Sequence, residues 1–406
     1  MELGPIFRTL IHNRTRTVLI AFEVALTLAI VVNCLNMIRD MRGKMLRPTG
    51  LDVESILVVH TQPFDPAFEE EAFVDDTRVA DLRALRAFPG VRAATAIAQI
   101  PLSGGGSSTG RKATGSTTET IGAPYFVVAD DALETLGVEL AGGRGFVPDD
   151  FVQRESRADE PELGNVILTQ ALADALFPDG NAVGRTIQDE RGESINTVVG
   201  IVRQMHNSWP ESSLAERVML IPGAPGSSRR IRYMVRAQPG MVDELYTALH
   251  AEMLRLNPGR IVTVSTLQEI KDDTYQENAG LIKIFGVVIF LLLTVTALGI
   301  IGLTSFSVAE RTRQIGTRRA LGATRFAILR YFLVENALIT GCGLLLGLAL
   351  TYSLNFALAE AADAPRLGLP LVGVGMALLW LAGLAAALVP ALRGSAVAPV
   401  VATRTV

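Results

Sequence analysis

Residues able to do chemistry are sparse in this chain, and their spacing excludes more than it admits. The Gly/Ser loop at residues 104–112 has Gly105 and Gly110 at phosphate-loop spacing. Arg111, Lys112 and Ala113 follow, not the Lys and then Ser or Thr that a phosphate loop needs. The segment reads as a flexible surface loop. The histidines, His12, His60, His206 and His250, are far apart and lack metal-ligand spacing. No HExxH is present. Glu69–Glu71 reads as a solvated helix start, and Trp209 as a packing anchor. The chain therefore reads as non-catalytic, with no metal and no cofactor of its own. Two features carry more information. Glu23 and Glu335 lie inside apolar stretches, where a carboxylate must pair or reach the interface. Residues 309–329, AERTRQIGTRRALGATRFAIL, hold a dense cluster of arginines punctuated by Ile315, Gly316, Leu321 and Gly322.

The elements that place these residues follow from hydropathy. Of 406 residues, 49% are hydrophobic and 19% charged. Four segments reach the ~20 apolar residues of a lipid span: 17–38, 284–308, 327–352 and 369–392. The first is interrupted by Glu23, Asn33 and Asn36. No small-x-small site follows it, so it reads as an uncleaved anchor rather than a signal peptide. Small residues at Gly343, Gly347, Gly375 and Gly383 favour close helix packing.

The formal charge of −4 hides an asymmetry. Residues 39–280 carry 24 basic and 35 acidic side chains, and the remainder carries a net +7. The loop between the second and third spans holds Arg311, Arg313, Arg318, Arg319 and Arg325, against Arg366 alone in the next loop. By the positive-inside rule that loop is cytoplasmic. Both termini, residues 1–16 included, are then expected in the cytoplasm and residues 39–280 outside. Cys34 and Cys342 fall in spans, so no disulfide is expected in the external domain.

That domain reads as α/β. Strand 55–61, helix 67–88, a Pro89-Gly90 stop and strand 91–100 form one unit. Strand 230–237, helix 241–256, a Pro258-Gly259 stop and strand 260–267 form a second. The two predict a ferredoxin-like split βαβ sheet. The insertion between them, 104–222, is expected to be mainly β, with strands at 165–169, 185–188, 195–203 and 217–221 and a helix at 170–177.

The arginine-rich segment is richer than a stop signal requires. Glu310, Arg311 and Arg313 would extend a helix beyond the lipid, Gly316 and Gly322 would allow turns, and Ile315 and Leu321 would be apolar anchors on a helix along the membrane face. The segment Glu310–Ala323, with Gln314, Arg318 and Arg319 inside it, resembles the ERxxEIGxRRALGA loop of FtsX-like permease domains. Phe332-Leu333-Val334-Glu335 is similar to that family's FLxE, and Pro390-Ala391-Leu392-Arg393 with Pro399-Val400 to its PAxR ending. Outside, Tyr125-Phe126, Gly143-Arg144 with Asp149, Leu176-Phe177-Pro178 and Val198–Val202 resemble stretches of MacB-type periplasmic core domains. Gln314 departs from the usual Glu.

The resemblance covers nearly the whole chain. It implies an ABC transporter permease in a bacterial inner membrane, with 39–280 as a periplasmic core domain and 281–406 as the permease domain. The ATPase, with its ATP and magnesium, would sit on a partner chain docked at the Ala309–Ala323 loop. A second permease, identical or paralogous, would complete a dimer, and a periplasmic adaptor could join. The resemblance also implies mechanotransmission for export or efflux, with an FtsX-like scaffold that controls cell-wall enzymes as the alternative. Besides these proteins the expected surroundings are the lipid bilayer; nucleic acid is not an expected partner.

Overall fold

In a computed structural model, residues 14–151, 162–224, 230–362 and 364–397 are described. The expected motif ending at Pro399-Val400 and most of the N-terminal segment lie outside them. The chain divides into two compact units, one of residues 1–43 and 278–406, the other of residues 44–277.

In the first unit four helices are long and apolar enough to cross a membrane. They are α1 (Arg14–Met45), α7 (Gln276–Glu310), α9 (Arg325–Ala362) and α10 (Leu369–Ser395). Each is longer than its apolar stretch. At 1.5 Å per residue the 35 residues of α7 span roughly 52 Å, well beyond a ~30 Å hydrocarbon core. Between α7 and α9 lies a short helix, α8 (Thr312–Ala320).

The polar residues that interrupt α1 explain themselves by packing. Asn33 donates to the Ala29 and Thr351 carbonyls, at 2.8 and 3.2 Å, and accepts from Asn355 at 3.1 Å. Asn36 donates to the Pro365 carbonyl at 2.6 Å, and the Thr27 and Thr296 hydroxyls meet at 2.8 Å. Each polar group is matched inside the bundle, as a low-dielectric setting demands. Two of the expected small-residue contacts hold α1 to α9. A Cβ on Gly343 would stand 2.8 Å from the Ala21 carbonyl oxygen, and one on Gly347 2.9 Å from the Ala25 Cα. Both obstacles are backbone, which cannot rotate away. Replacing Gly347 with Leu is therefore expected to cost about 1–3 kcal/mol by overpacking. Gly373 has open space around its missing side chain, so Gly373→Ala is the control. The midpoint of detergent-induced unfolding in each variant measures the difference.

The second unit contains two sheets. Strands β1 (Ile56–Pro63), β2 (Val91–Ala96), β10 (Arg232–Ala237) and β11 (Arg260–Thr266) form a four-stranded sheet in the order β11-β1-β10-β2. Each neighbouring pair is antiparallel. Helices α2 (Glu71–Ala87) and α5 (Val242–Leu256) are the crossovers. This is the expected split βαβ arrangement, with each half interleaved into the other.

The insertion forms a seven-stranded mixed sheet, β5-β8-β6-β9-β4-β3-β7. Its strands are β3 (Ser107–Ala113), β4 (Ile121–Val128), β5 (Leu140–Gly143), β6 (Glu162–Thr169), β7 (Thr186–Gln188), β8 (Ser194–Val202) and β9 (Met219–Pro222). Two short helices, α3 (Ala132–Leu136) and α4 (Gln170–Leu176), accompany it. One expectation needs correcting. The Gly/Ser segment is not a free loop beyond residue 106, because Ser107–Arg111 pair with Ile121–Tyr125. Cross-strand pairing overrides the turn-like composition. Helix α6 (Leu267–Thr274) closes the unit, held at its start by a capping box of Thr266 and Glu269.

Candidate functional site

Helix α7 ends at Glu310, and Arg311 occupies the N-cap position of α8 in a non-helical conformation. The chain leaves α8 through Gly322, whose φ of +98° lies in the left-handed region. Gly316, in contrast, makes no turn, because it is buried within α8.

The expected docking residues separate onto two faces. Facing inward, Ile315 packs in an apolar cluster with Ile328 and Phe332 of α9 and Ala391 of α10, and Ala323 packs against it. Arg311 donates to both carboxylate oxygens of Glu335, at 3.0 and 3.2 Å, and to the Tyr331 hydroxyl at 3.3 Å. Both side chains are nearly covered, 12% and 10% exposed. Glu335 is thus satisfied by an ion pair within the unit, as a carboxylate in an apolar segment must be. Arg319 donates to the carbonyls of Ser395 and Val397 at 3.1 and 2.9 Å. A guanidinium there caps the negative end of α10.

Facing outward are Arg313, Gln314, Arg318 and Leu321. Leu321 is 84% exposed, so it is no anchor for its own chain, unlike Ile315. Phe326, unremarked in the sequence, is 70% exposed beside it along the chain. The Arg318 guanidinium lies 5.4 Å from the Tyr331 ring centroid, close enough for a cation–π contact that aims it. Glu310 and Gly322 are also exposed. Glu23 is elsewhere. It lies on α1 against Gly299 of α7, whose missing side chain leaves room for its carboxylate.

In the external unit the motif residues converge. Gly143 pairs with Gly200 across β5 and β8, and a Cβ on either would strike backbone of the other strand or its continuation. Arg144 then holds Asp150 through two hydrogen bonds at 2.6 and 3.0 Å. The aspartate of this motif is therefore Asp150; the expected Asp149 is exposed. Asp150 also accepts from the Val147 N–H and from Asn165. The Arg144 contact, aided by those two donors, holds its carboxyl down at about 2. The clamped turn carries Phe146, Val147 and Phe151, which line a cavity of about 640 Å³ with Leu82 and Leu133. Trp209 is half-buried, and its ring packs near Gly106. Among the described residues no cluster of three His, Cys, Asp or Glu side chains is placed to hold a metal ion.

Comparisons with known proteins agree with this division. Residues 17–251 match the family model of the MacB-like periplasmic core domain, and residues 286–399 that of the FtsX-like permease C-terminal domain. A macrolide export ATP-binding/permease protein MacB of Chromobacterium violaceum is 28% identical over 290 residues, covering 69% of this chain and 43% of that protein. The ABC transporter permease YvrN of Bacillus subtilis is 25% identical over 291 residues, covering 68% and 69%. The chain spans about half the length of the MacB proteins it matches. The periplasmic region of MacB from Actinobacillus actinomycetemcomitans aligns with 57% of this chain and 97% of its own, at 15% identity and a TM-score of 0.37. With a core-domain match over more than half its residues and a permease match over the rest of its spans, the chain belongs to the MacB-like and FtsX-like family of ABC transporter permeases.

Proposed function

We propose that this permease takes its energy from a separate cytoplasmic ABC ATPase, docked on the outward face of α8. The ATPase's nucleotide cycle would move α8, and the motion would reach the periplasmic domain, where the substrate is handled without having to cross the lipid. Two permeases would form the working complex, with a periplasmic adaptor as a further partner. The observation that carries this reading is the two-sidedness of α8. One face is packed into its own chain, while Arg313, Gln314, Arg318 and Leu321 stand outward. A large apolar side chain 84% exposed within a basic rim has the composition of an interface anchor.

The test is capture of an ABC ATPase from the same organism by the full chain in lipid nanodiscs. Leu321→Asp is expected to weaken capture between about tenfold and a hundredfold, a loss of roughly 1.4–2.8 kcal/mol. Arg318→Ala should weaken it less. Equal capture by Leu321→Asp and the unchanged chain would refute the docking face.

A further inference from the structure

The same helix supports a second step, which rests on the docking reading for its purpose but not for its geometry. We infer that α8 is not a hinged paddle. Arg311 and Arg319 staple it to α9 and α10, so that α8 and the cytoplasmic ends of α7, α9 and α10 move as one block. Arg311 and Arg319 are positioning residues: neither is on the outward face, and both act through what they hold.

Three independent contacts make the block. The first is the Arg311–Glu335 pair, which ties the α7–α8 joint to α9, with Tyr331 as an additional acceptor. The second is Arg319, whose two carbonyl acceptors lie at and just beyond the end of α10. The third is the apolar cluster of Ile315, Ile328, Phe332 and Ala391, against which Val308 of α7 and Val397 also pack. Gly394 of α10 adds a close approach, since a Cβ there would stand 2.8 Å from a Val308 methyl. A packed cluster joined by charge-assisted bonds resists local bending, because any tilt of α8 alone would strip partners from nearly buried charges.

The other end of α7 has the opposite character. Between Asn278 and Thr296 no residue of α7 is buried within the chain, whereas Thr296, Ile300, Thr304 and Ser307 are. The part of α7 from Thr296 onward therefore belongs to the block, and the part before it is an arm with little cover from its own chain, Leu293 packing only partly on the bundle. Force applied at α8 would displace the whole block, and α7 would flex or pivot above Thr296. The transmitting step is a shift of three helix ends together, rather than a swing of one connecting helix.

The experiment uses the full chain in nanodiscs with amide hydrogen exchange. Reversing one charge, Arg311→Glu or Glu335→Arg, should speed exchange at residues 312–320 by about tenfold, by lowering the cost of local opening. The double reversal should return it to within about twofold of the unchanged chain. Arg319→Met should speed exchange both in α8 and at the end of α10. A purely structural role would stop there. With the ATPase bound, the single reversals are expected to keep its capture within about twofold yet lose the ATP-dependent change in exchange of residues 44–277. The double reversal should restore that change. Unaltered exchange in both single reversals would overturn the staple, and an intact ATP response despite loosened α8 would overturn its role in transmission. Failure of the unchanged chain to capture any ATPase would refute the docking reading instead, and the exchange arm would still decide the staple.

Discussion

Replacing Asp81 with Ala is expected to destabilise the four-stranded half of the periplasmic domain by about 3–5 kcal/mol. Asp81 lies on α2 and is 1% exposed. It accepts from both terminal nitrogens of Arg260 and from the Tyr233 hydroxyl, the last at 2.6 Å. Arg260, also 1% exposed, has one further acceptor, the Met253 carbonyl at 3.0 Å. Burial, and then the Asp81 carboxylate, push the Tyr233 hydroxyl well above its ordinary pKa, so it stays a donor. Removing Asp81 leaves a guanidinium in an apolar core without its counter-charge. Breaking such a pair costs about 3–5 kcal/mol, against a total stability of about 5–15 kcal/mol for a typical domain. Replacing all three groups by apolar residues of similar size, Asp81→Leu with Arg260→Met and Tyr233→Phe, should cost far less, since nothing charged is then stranded. Denaturant unfolding of the single and triple variants, followed by exchange of the β10 and β11 amides, measures the contrast. A single variant as stable as the triple would refute the argument. The network's position explains its leverage: residue 81 follows β1, whereas 233 and 260 belong to the other half of the split βαβ unit, so one carboxylate ties together segments more than 150 residues apart.

That network also shows where reading the sequence stops. The two strand–helix–Pro-Gly–strand units were legible because their signals are local: alternation, an amphipathic stretch, a turn dipeptide. Strand β3 was not, because Ser107, Ser108 and Gly110 have little strand preference and acquire it only by lying beside β4. At the candidate site the difficulty is similar. Ile315 and Leu321 look alike as apolar residues in a basic loop, yet one is 4% and the other 84% exposed. Nothing in their spacing separates them; the left-handed turn at Gly322 and the packing of α9 and α10 do. Arg311 and Glu335 were each noticeable, one as an orienting charge and the other as a costly intramembrane acid. Their pairing across 24 residues depends on the turn between α8 and α9, which propensity alone does not specify.

The second large effect is a dependence of stability on pH centred on His206. Its ring is fully buried, and among the described residues neither ring nitrogen has a hydrogen-bond partner. Burial, with repulsion from Arg47 and Lys271, lowers its pKa to about 4 from an ordinary 6.5. Glu216, 4.0 Å from the ring, opposes this but is half solvated. The sign follows from proton counting. Between pH 6.5 and 4 the unfolded chain binds the proton and the folded chain does not, so stability falls as pH falls. The contribution is complete above 6.5, declines by about 1.4 kcal/mol per unit, and is exhausted near pH 4, a total of about 3 kcal/mol. In His206→Phe, which keeps a ring but cannot take a proton, that slope should vanish. The difference in unfolding free energy between variant and parent should shift by about 2–3 kcal/mol from pH 7 to pH 4.5, in the variant's favour. A parallel pH dependence of the two would show that the ring is already charged when folded. The location gives the effect its reach. The His206 N–H donates to the Thr49 carbonyl, and the Tyr275 hydroxyl donates to the Lys44 carbonyl. Residues 44–49 are the last turn of α1 and the chain just after it, and Tyr275 immediately precedes α7. The two segments of the external unit next to the helices expected to carry motion are therefore tied to each other and to the loop that holds this histidine. Protonating it would loosen the region through which the proposed mechanical coupling would pass before it unfolded the domain, so under that proposal the ATP-dependent response of the periplasmic domain should weaken at a higher pH than the fold itself.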